Sequence, residues 1–166
     1  DPSTRRLYIA DSHNHAIRAV LLGNGVIVTA VGILGEQGSE GDGGLCTEAR
    51  LRRPGAVAVD VAARRLFVSD SGNHAVRIVD LNSGIIGTLA GVPGAAGQAG
   101  AVGPGGIVKA ATAHLQLPQG LAFDPANNDL YVADSGGHVV RRIDITGGRI
   151  TDSACQCSVP TVRVAG

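Results

Sequence analysis

The sequence contains no tryptophan and no methionine, and only four aromatic side chains occur among its 166 residues. Its hydrophobic content of 44% therefore consists mainly of valine, isoleucine, leucine and alanine. β-Branched residues grouped in short runs favour strands over helices. Glycine, by contrast, is abundant: 25 residues is roughly twice the usual level and indicates many turns between short elements.

An excess of charge of either sign is also missing, because fourteen basic side chains balance fourteen acidic ones. Nucleic-acid binding usually requires a basic surface and stacking aromatic residues, so the composition argues against it. No long uncharged apolar run exists either; the best candidate, residues 16–34, contains Arg18 and several glycines. A membrane-spanning helix needs about 18 or more apolar residues, so no membrane span is expected.

One short stretch occurs three times, separated by 59 and then 64 residues, and such regularity is the signature of a repeat architecture. The similarity extends on both sides of each copy. The three copies are "LYIADSHNHAIRAV" from Leu7, "LFVSDSGNHAVRIVD" from Leu66 and "LYVADSGGHVVRRID" from Leu130. Upstream, "LRRPGAVAVD" (51–60) matches "LQLPQGLAFD" (115–124); downstream, "GVIVTAVG" (25–32) matches "GIIGTLAG" (84–91).

Each full repeat contains four short apolar runs bounded by Gly, Asp, Asn or Ser, which is typical of strands joined by tight turns. In the second repeat the predicted strands are 56–59, 66–69, 75–80 and 85–90. We expect turns at "DSGNH" (70–74) and "LNSG" (81–84), where Asp and Asn brace the backbone and Gly supplies the positive φ angle. Consecutive apolar residues, as in "LFV", indicate strands that are buried on both faces.

Four antiparallel strands in each successive repeat predict an all-β chain, namely a β-propeller made of four-stranded blades. We place the connectors at 33–50 and 92–114 and the blade segments at 1–32, 51–91 and 115–166. The first segment lacks its first strand, and the third is interrupted before "VRVAG" at its end, so eleven strands are expected. About three blades cannot close a ring of four to eight. The sequence therefore predicts part of a larger propeller or a ring completed by several copies.

The motifs "NHAIRAV", "NHAVRIV" and "GHVVRRI" resemble the NHL repeat, which is named after its Asn-His-Leu signature. The frame from Gly41 to Gly91 resembles it too, and the likeness covers nearly the whole chain. This resemblance implies NHL-type blades, commonly about six in a ring, with "GDGG" (41–44) as a connector between blades. The chain departs from the pattern in having Ala or Val in place of the Leu and Gly137 in place of the third Asn.

The repeat signature places Asp, Asn, His and Arg at a fixed spacing, a set that can support acid–base chemistry or bind a metal. Because these residues recur in every repeat, they occupy equivalent places around a ring, whereas an active site needs different residues converging at one place. We therefore expect structural roles, no catalytic residues, no metal and no cofactor; His13 and His114 fall outside the register and are expected in solvated loops. The signature residues are Asp11, Asn14, His15, Arg18, Asp70, Asn73, His74, Arg77, Asp134, His138 and Arg141.

The three cysteines are Cys46, Cys155 and Cys157, an odd number that leaves one thiol unpaired unless its partner lies elsewhere. A bridge between Cys155 and Cys157 would close a very tight, strained ring. A disulfide from Cys46 to one of them is one interpretation. Free thiols and a weak metal site are the alternatives.

Together these features predict a non-enzymatic scaffold or interaction module whose loops bind a protein or a glycan, or which assembles with itself. The glycine-rich connectors and the clustered cysteines favour an extracellular or cell-surface setting, with a cytoplasmic one as the alternative. Two other functions remain open: a lyase- or hydrolase-type propeller enzyme with its active site mostly outside this segment, and an RNA-binding propeller. No nucleophile motif and no dinucleotide fingerprint is present.

Overall fold

The computed structural model describes residues 1–95 and 108–152, which form three antiparallel sheets that we number as blades 1 to 3. The predicted all-β propeller blades are thereby confirmed. Blade 1 contains β1 (Arg6–Asp11), β2 (Ala16–Leu21) and β3 (Val26–Val31). Blade 2 contains β4 (Ala56–Asp60), β5 (Arg65–Asp70), β6 (Ala75–Asp80) and β7 (Ile86–Gly91). Blade 3 contains β8 (Val108–Lys109), β9 (Pro118–Asp124), β10 (Asp129–Asp134), β11 (Val139–Asp144) and β12 (Arg149–Asp152).

Helical structure in this part of the chain is limited to short 3₁₀ turns, since the glycine-rich sequence offers no long amphipathic run. No helix within residues 1–95 and 108–152 is long and apolar enough to cross a membrane. The four 3₁₀ turns are Ser12–Asn14, Ser71–Asn73, Ala110–Thr112 and Ser135–Gly137.

The hydrophobic core lies between blades, so that each sheet is covered on both faces. In β5 the three consecutive residues Leu66, Phe67 and Val68 are all fully buried. Leu66 and Val68 pack in a cluster shared with blade 1, whereas Phe67 packs in a second cluster shared with blade 3. Because successive side chains of a strand point to opposite faces, this burial explains why the alternation of apolar and polar residues is missing.

The turns differ from the prediction in the residue that takes the positive φ angle. In "DSGNH" that residue is His74, with φ 57°, and not Gly72. Gly72 is needed for a different reason: a Cβ atom there would lie 2.7 Å from the backbone oxygen of Arg52, whose carbonyl accepts the Gly72 N–H. In "LNSG" the prediction holds, because Gly84 has φ 75°.

The third sheet also differs from the expected count of eleven strands. The described residues contain twelve, because the two-residue strand β8 pairs with β12 at the outer edge of blade 3. The connector before a blade therefore contributes a short edge strand, which a search for apolar runs overlooks since only two residues pair. The segment 162–166, expected to finish the third repeat, lies outside the described residues.

Candidate functional site at the joints between blades

The three signature turns lie at the same end of the blades, here called the upper end, and share one backbone conformation. In blade 2 the turn follows Asp70, the last residue of β5, and ends at His74. The equivalent residues His15 and His138 have φ angles of 57° and 53°. These angles lie in the left-handed region, which non-glycine residues rarely occupy, although histidine does so more often than most.

The aspartate of a signature turn holds the loop that enters its own blade. Asp70 Oδ1 accepts a hydrogen bond of 2.7 Å from the backbone N–H of Arg52, and Asp134 Oδ1 accepts one of 2.6 Å from that of Gln116. Arg52 and Gln116 each stand two residues before a proline. Both carboxylates are fully buried, so these hydrogen bonds replace contacts that water would otherwise make.

The serine and the histidine of the same turn reach across to the loop of the next blade. At the first such joint, Ser12 Oγ donates to the carbonyl of Pro54 at 2.5 Å. His15 Nδ1 accepts a hydrogen bond of 3.2 Å from the backbone N–H of Arg53. The loop before blade 2 is therefore held by side chains from both blades.

The second joint repeats this arrangement between blades 2 and 3. Ser71 donates to the carbonyl of Pro118, and His74 Nδ1 accepts a hydrogen bond of 3.1 Å from the backbone N–H of Leu117. A ring nitrogen that accepts a hydrogen bond carries no proton, so each joint uses the neutral imidazole with its proton on Nε2. In blade 3 the equivalent Ser135 and His138 are exposed.

A sequence profile of the teneurin NHL domain matches residues 1–165, and the match therefore spans all three repeats and both joints. The chain belongs to the teneurin NHL domain family. The resemblance of its motifs to the NHL repeat is thereby confirmed. Two histidines of the NHL signature, His15 and His74, thus contact the loop of the next blade.

Two kinds of curated relative share this NHL architecture. NHL repeat-containing protein 2 of Bos taurus is 31% identical over 145 residues, which is 84% of this chain and 19% of that protein. Teneurin-3 of Danio rerio is 31% identical over 180 aligned positions, covering 98% of this chain and 6% of that protein. The chain thus spans about a fifth or less of the length of these relatives.

Solved structures share the fold at low sequence identity. A protein of unknown function from Bacteroides thetaiotaomicron superposes with a TM-score of 0.67 at 21% identity, covering 82% of this chain and 32% of the other. A chain of the nidogen/laminin complex superposes with a TM-score of 0.60 at 18% identity, covering 91% of this chain and 44% of the other. Both likenesses concern the fold alone.

The signature arginine of blade 2 is fully buried between two carboxylates. Arg77 lies 3.3 Å from Asp70 Oδ2 and 2.5 Å from Asp42 Oδ1. Burial raises the pKa of Asp70 to about 6, although hydrogen bonds from Asn73 and from the Arg52 N–H, together with the charge of Arg77, act in the opposite direction. Desolvation of this carboxylate therefore outweighs its pairing with Arg77.

In blade 3 the second carboxylate beside the signature arginine comes from a strand of the same blade, whereas in blade 2 it comes from the connector. Arg141 lies 2.9 Å from Asp134 and 3.0 Å from Asp152, a residue of β12. Gly137, which stands where the other copies have asparagine, leaves Asp134 Oδ2 to accept from Arg141 Nε. This contact of 2.9 Å is shorter than the 3.3 Å between Arg77 and Asp70, where Asn73 donates to the same oxygen.

Blade 1 pairs its signature residues more loosely. Asn14 donates to both carboxylate oxygens of Asp11 at 3.0 Å, while Arg18 approaches Asp11 only to 4.0 Å. Arg18 Nε instead donates to the carbonyl of Val28 at 3.3 Å.

Of the predicted cysteine set, only Cys46 falls within the described residues. It is half-buried in a groove of about 260 Å³ between blades 1 and 2, next to Tyr8 and Leu66. Its Sγ donates to the carbonyl of Ala30 at 3.4 Å, and burial raises the pKa of the thiol. Since Cys155 and Cys157 lie outside the described residues, a disulfide from Cys46 stays a prediction.

The upper end carries a depression of about 350 Å³ beside the joints, bordered by the exposed side chains of Arg53 and Leu117. Both have positive φ angles, 47° and 52°, immediately before a proline. Within residues 1–95 and 108–152, no three His, Cys, Asp or Glu side chains are grouped as metal ligands. His13 and His114 are both exposed.

The serines of the two joints and the second carboxylate beside the buried Arg77 were missed in the sequence analysis. Ser12 and Ser71 recur at the same 59-residue interval as the signature, with Ser135 a further 64 residues on, and this recurrence was a readable signal. No such signal in the sequence marks Asp42, which binds the buried arginine of blade 2. Asp42 lies in the connector before its blade, whereas the carboxylate in the same role in blade 3 is Asp152 of β12.

Proposed function

We propose that this NHL domain is a non-enzymatic interaction module that presents its upper-end loops to a protein partner. The observation that carries the proposal is the use of the signature side chains at both joints. Ser, His and Asp each bond to a backbone group of an entering loop, which leaves no free acid–base set at these positions. Arg53 and Leu117, beside the two joints, are exposed at the border of the depression.

The proposed setting is extracellular or at the cell surface. The teneurin profile match supports it, as does the fold shared with a chain of the nidogen/laminin complex, a structure of two proteins bound to each other. A relative named as chloroplastic, 36% identical over 100 residues, shows that proteins with related repeats occur elsewhere too. A glycan is the second class of ligand that an exposed arginine beside an apolar residue could contact.

Cell binding of the purified chain, labelled with a fluorophore, tests the proposal. We expect saturable binding to the surface of intact cells that unlabelled protein displaces. Replacing Arg53 and Leu117 by glycine removes both exposed side chains while relieving their positive φ angles, so the fold is retained and binding falls. Glycosidase treatment of the cells separates a glycan ligand from a protein.

Arg5→Gly is the matched control, because Arg5 is also exposed with a positive φ angle of 51° but precedes β1 at the lower end. This variant should bind like the unaltered chain. Equal loss of binding in both variants, or binding that never saturates, would refute an upper-end site.

A further inference from the structure

The outer edge of blade 2 is covered by a short segment of the connector that precedes it, in which Leu45 forms an antiparallel bridge with Ile85. The N–H of Gly43 donates to the carbonyl of Ile86 at 2.8 Å, and the N–H of Ile86 donates to the carbonyl of Gly44 at 3.1 Å. The N–H of Cys46 donates to the carbonyl of Gly84 at 2.8 Å. Residues 42–46, from "DGGLC", thus act as an added edge strand on β7.

This added strand also supplies the second carboxylate of the buried arginine. Asp42 Oδ1 lies 2.5 Å from Arg77, and Asp42 Oδ2 accepts a hydrogen bond of 2.7 Å from Thr88 Oγ1. Arg77 and Thr88 are opposite each other in the register of β6 and β7. In blade 3 the edge is likewise covered, there by β8 on β12.

Among residues 1–95 and 108–152, no segment covers the equivalent edge of blade 1. β3 is the outermost strand of its sheet, and Arg18 is opposite Thr29 as Arg77 is opposite Thr88. Gly25 and Ile27 take the positions of Gly84 and Ile86. Ile27 is 50% exposed, whereas the equivalent Ile86 is 1% exposed and packs in the cluster shared with blade 1.

The guanidinium of Arg18 also lacks the carboxylate that its counterparts have. Its side chain is 19% exposed, against 0% for Arg77, and Asp11 is 4.0 Å away. Residues 96–107 and 153–166 contain no aspartate or glutamate, so neither segment outside the described residues has a side-chain carboxylate to offer. Asp42 is bound to Arg77 of blade 2, and in a second copy it would be engaged in the same way.

We propose that the edge of β3 is a strand-addition site for a Gly-Asp-Gly-Gly segment from outside this stretch of chain. Its backbone pairs with Ile27 and Gly25, and its aspartate bonds to Arg18 and Thr29, as Asp42 bonds to Arg77 and Thr88 in blade 2. In this mode of recognition the backbone hydrogen bonds provide affinity. The charge-assisted hydrogen bond to Arg18 makes the site specific for an acidic residue. The site is independent of the proposed upper-end loops.

A titration followed by nuclear magnetic resonance tests the proposal. The probe is a capped peptide with the sequence of residues 38–48 in which Cys46 is replaced by serine, added to the ¹⁵N-labelled 166-residue chain. We expect saturable shifts of the amides of residues 25–31. A peptide that also carries Asp42→Asn should bind about tenfold more weakly, because it offers no charged acceptor.

Two variants of the chain complete a double-mutant cycle. Arg18→Met should weaken binding of the aspartate peptide to the level of the asparagine peptide and leave the latter unchanged. Arg149→Met removes an exposed charge from the covered edge of blade 3 and should change neither affinity. If Arg18→Met unfolds the chain, Thr29→Val replaces it, with a loss of at least about threefold expected for one hydrogen bond to the carboxylate.

Three results would overturn the proposal. The first is the absence of saturable shifts at millimolar peptide. The second is a set of shifts on β7 in place of β3, which would mean that the peptide exchanges with the connector of blade 2. The third is an affinity that is insensitive to both Arg18→Met and Thr29→Val, in which case no carboxylate is recognised.

Discussion

At the residue scale, His74 combines two properties that few side chains offer together. It tolerates a φ angle of 57°, and its Nδ1 accepts the N–H of Leu117 in the next blade. Asparagine at this position keeps the tolerance for the left-handed region but is too short to make the contact. The two properties can therefore be separated by substitution.

We expect His74→Asn to lower the free energy of unfolding by about 1 kcal/mol, the usual net value of one hydrogen bond. His138→Asn is the matched control, since His138 has the same conformation but is exposed; its effect should stay within about 0.5 kcal/mol. Urea unfolding followed by circular dichroism measures both. Equal effects would show that the Nδ1 contact contributes nothing to stability.

The raised pKa of Asp70 makes the free energy of unfolding depend on pH in a characteristic way. Its pKa in the folded state is raised to about 6 from 3.8, so between these values the folded chain binds more protons than the unfolded one. The contribution of Asp70 to stability is thus fully present below pH 3.8 and is lost as the pH rises through about 6. We expect the unaltered chain to gain stability relative to Asp70→Asn as the pH falls from 7 to 4.5.

Unfolding in urea at a series of pH values measures this difference, and all other titrating groups cancel because both chains contain them. The opposite slope, with Asp70→Asn gaining on the unaltered chain as the pH falls, would mean that the charge of Arg77 outweighs burial at this carboxylate.

The signature residues were identifiable from the sequence because they recur, but their contacts were not. Recurrence of Asp70 and His74 predicted a turn and equivalent places around a ring. It could not reveal which residue takes the positive φ angle: His74 does so, and so does His15, whose turn has His13 in place of Gly72. The partner of a side chain becomes visible only once the register between blades is known.

At the scale of the element, a strand of a blade that packs between two other blades has no solvent-exposed face. Val68 of β5 is fully buried in the cluster shared by blades 1 and 2. Val68→Asp places an unpaired carboxylate there, at a cost of several kcal/mol, and we expect the chain to unfold. His13→Ala, in an exposed turn residue, should change the free energy of unfolding by less than about 0.5 kcal/mol. Thermal unfolding of both variants checks this; equal melting temperatures would contradict burial on both faces.

The strands of blade 2 agreed with the sequence prediction to within a residue at most ends, because four apolar runs and their turn residues mark them. The edge segments did not follow from the sequence. Residues 42–46 contain two glycines and one aspartate among five residues, and β8 has two residues, so neither has an apolar pattern. Each pairs with the edge of a blade, a tertiary contact that a local pattern does not record.

At the scale of the whole molecule, the two terminal blades each expose a face that is buried elsewhere. Leu7 of blade 1 is 52% exposed, whereas Leu66 at the same repeat position in blade 2 is fully buried. On the opposite side, Val140 of blade 3 is 45% exposed, whereas the equivalent Val76 is fully buried. Each exposed face thus has the composition of a surface that packs against a blade.

We expect the 166-residue chain to self-associate through these faces. Leu7→Lys should reduce the average mass measured by light scattering without changing the melting temperature, while Leu66→Lys should unfold the chain. A chain that is monomeric at all concentrations, with or without Leu7→Lys, would show that the faces do not recognise one another.

The direction of the joints has a consequence for synthesis on the ribosome. The hydrogen bond at His74 Nδ1 can form only after Leu117, which is 43 residues further along the chain, has been synthesised. At about 5 to 20 residues per second, this contact forms about 2 to 9 s after the histidine has been made. During synthesis the signature turn of blade 2 therefore lacks this hydrogen bond to the next blade for several seconds. A translational pause within the connector would lengthen the interval in which a chaperone can bind the turn.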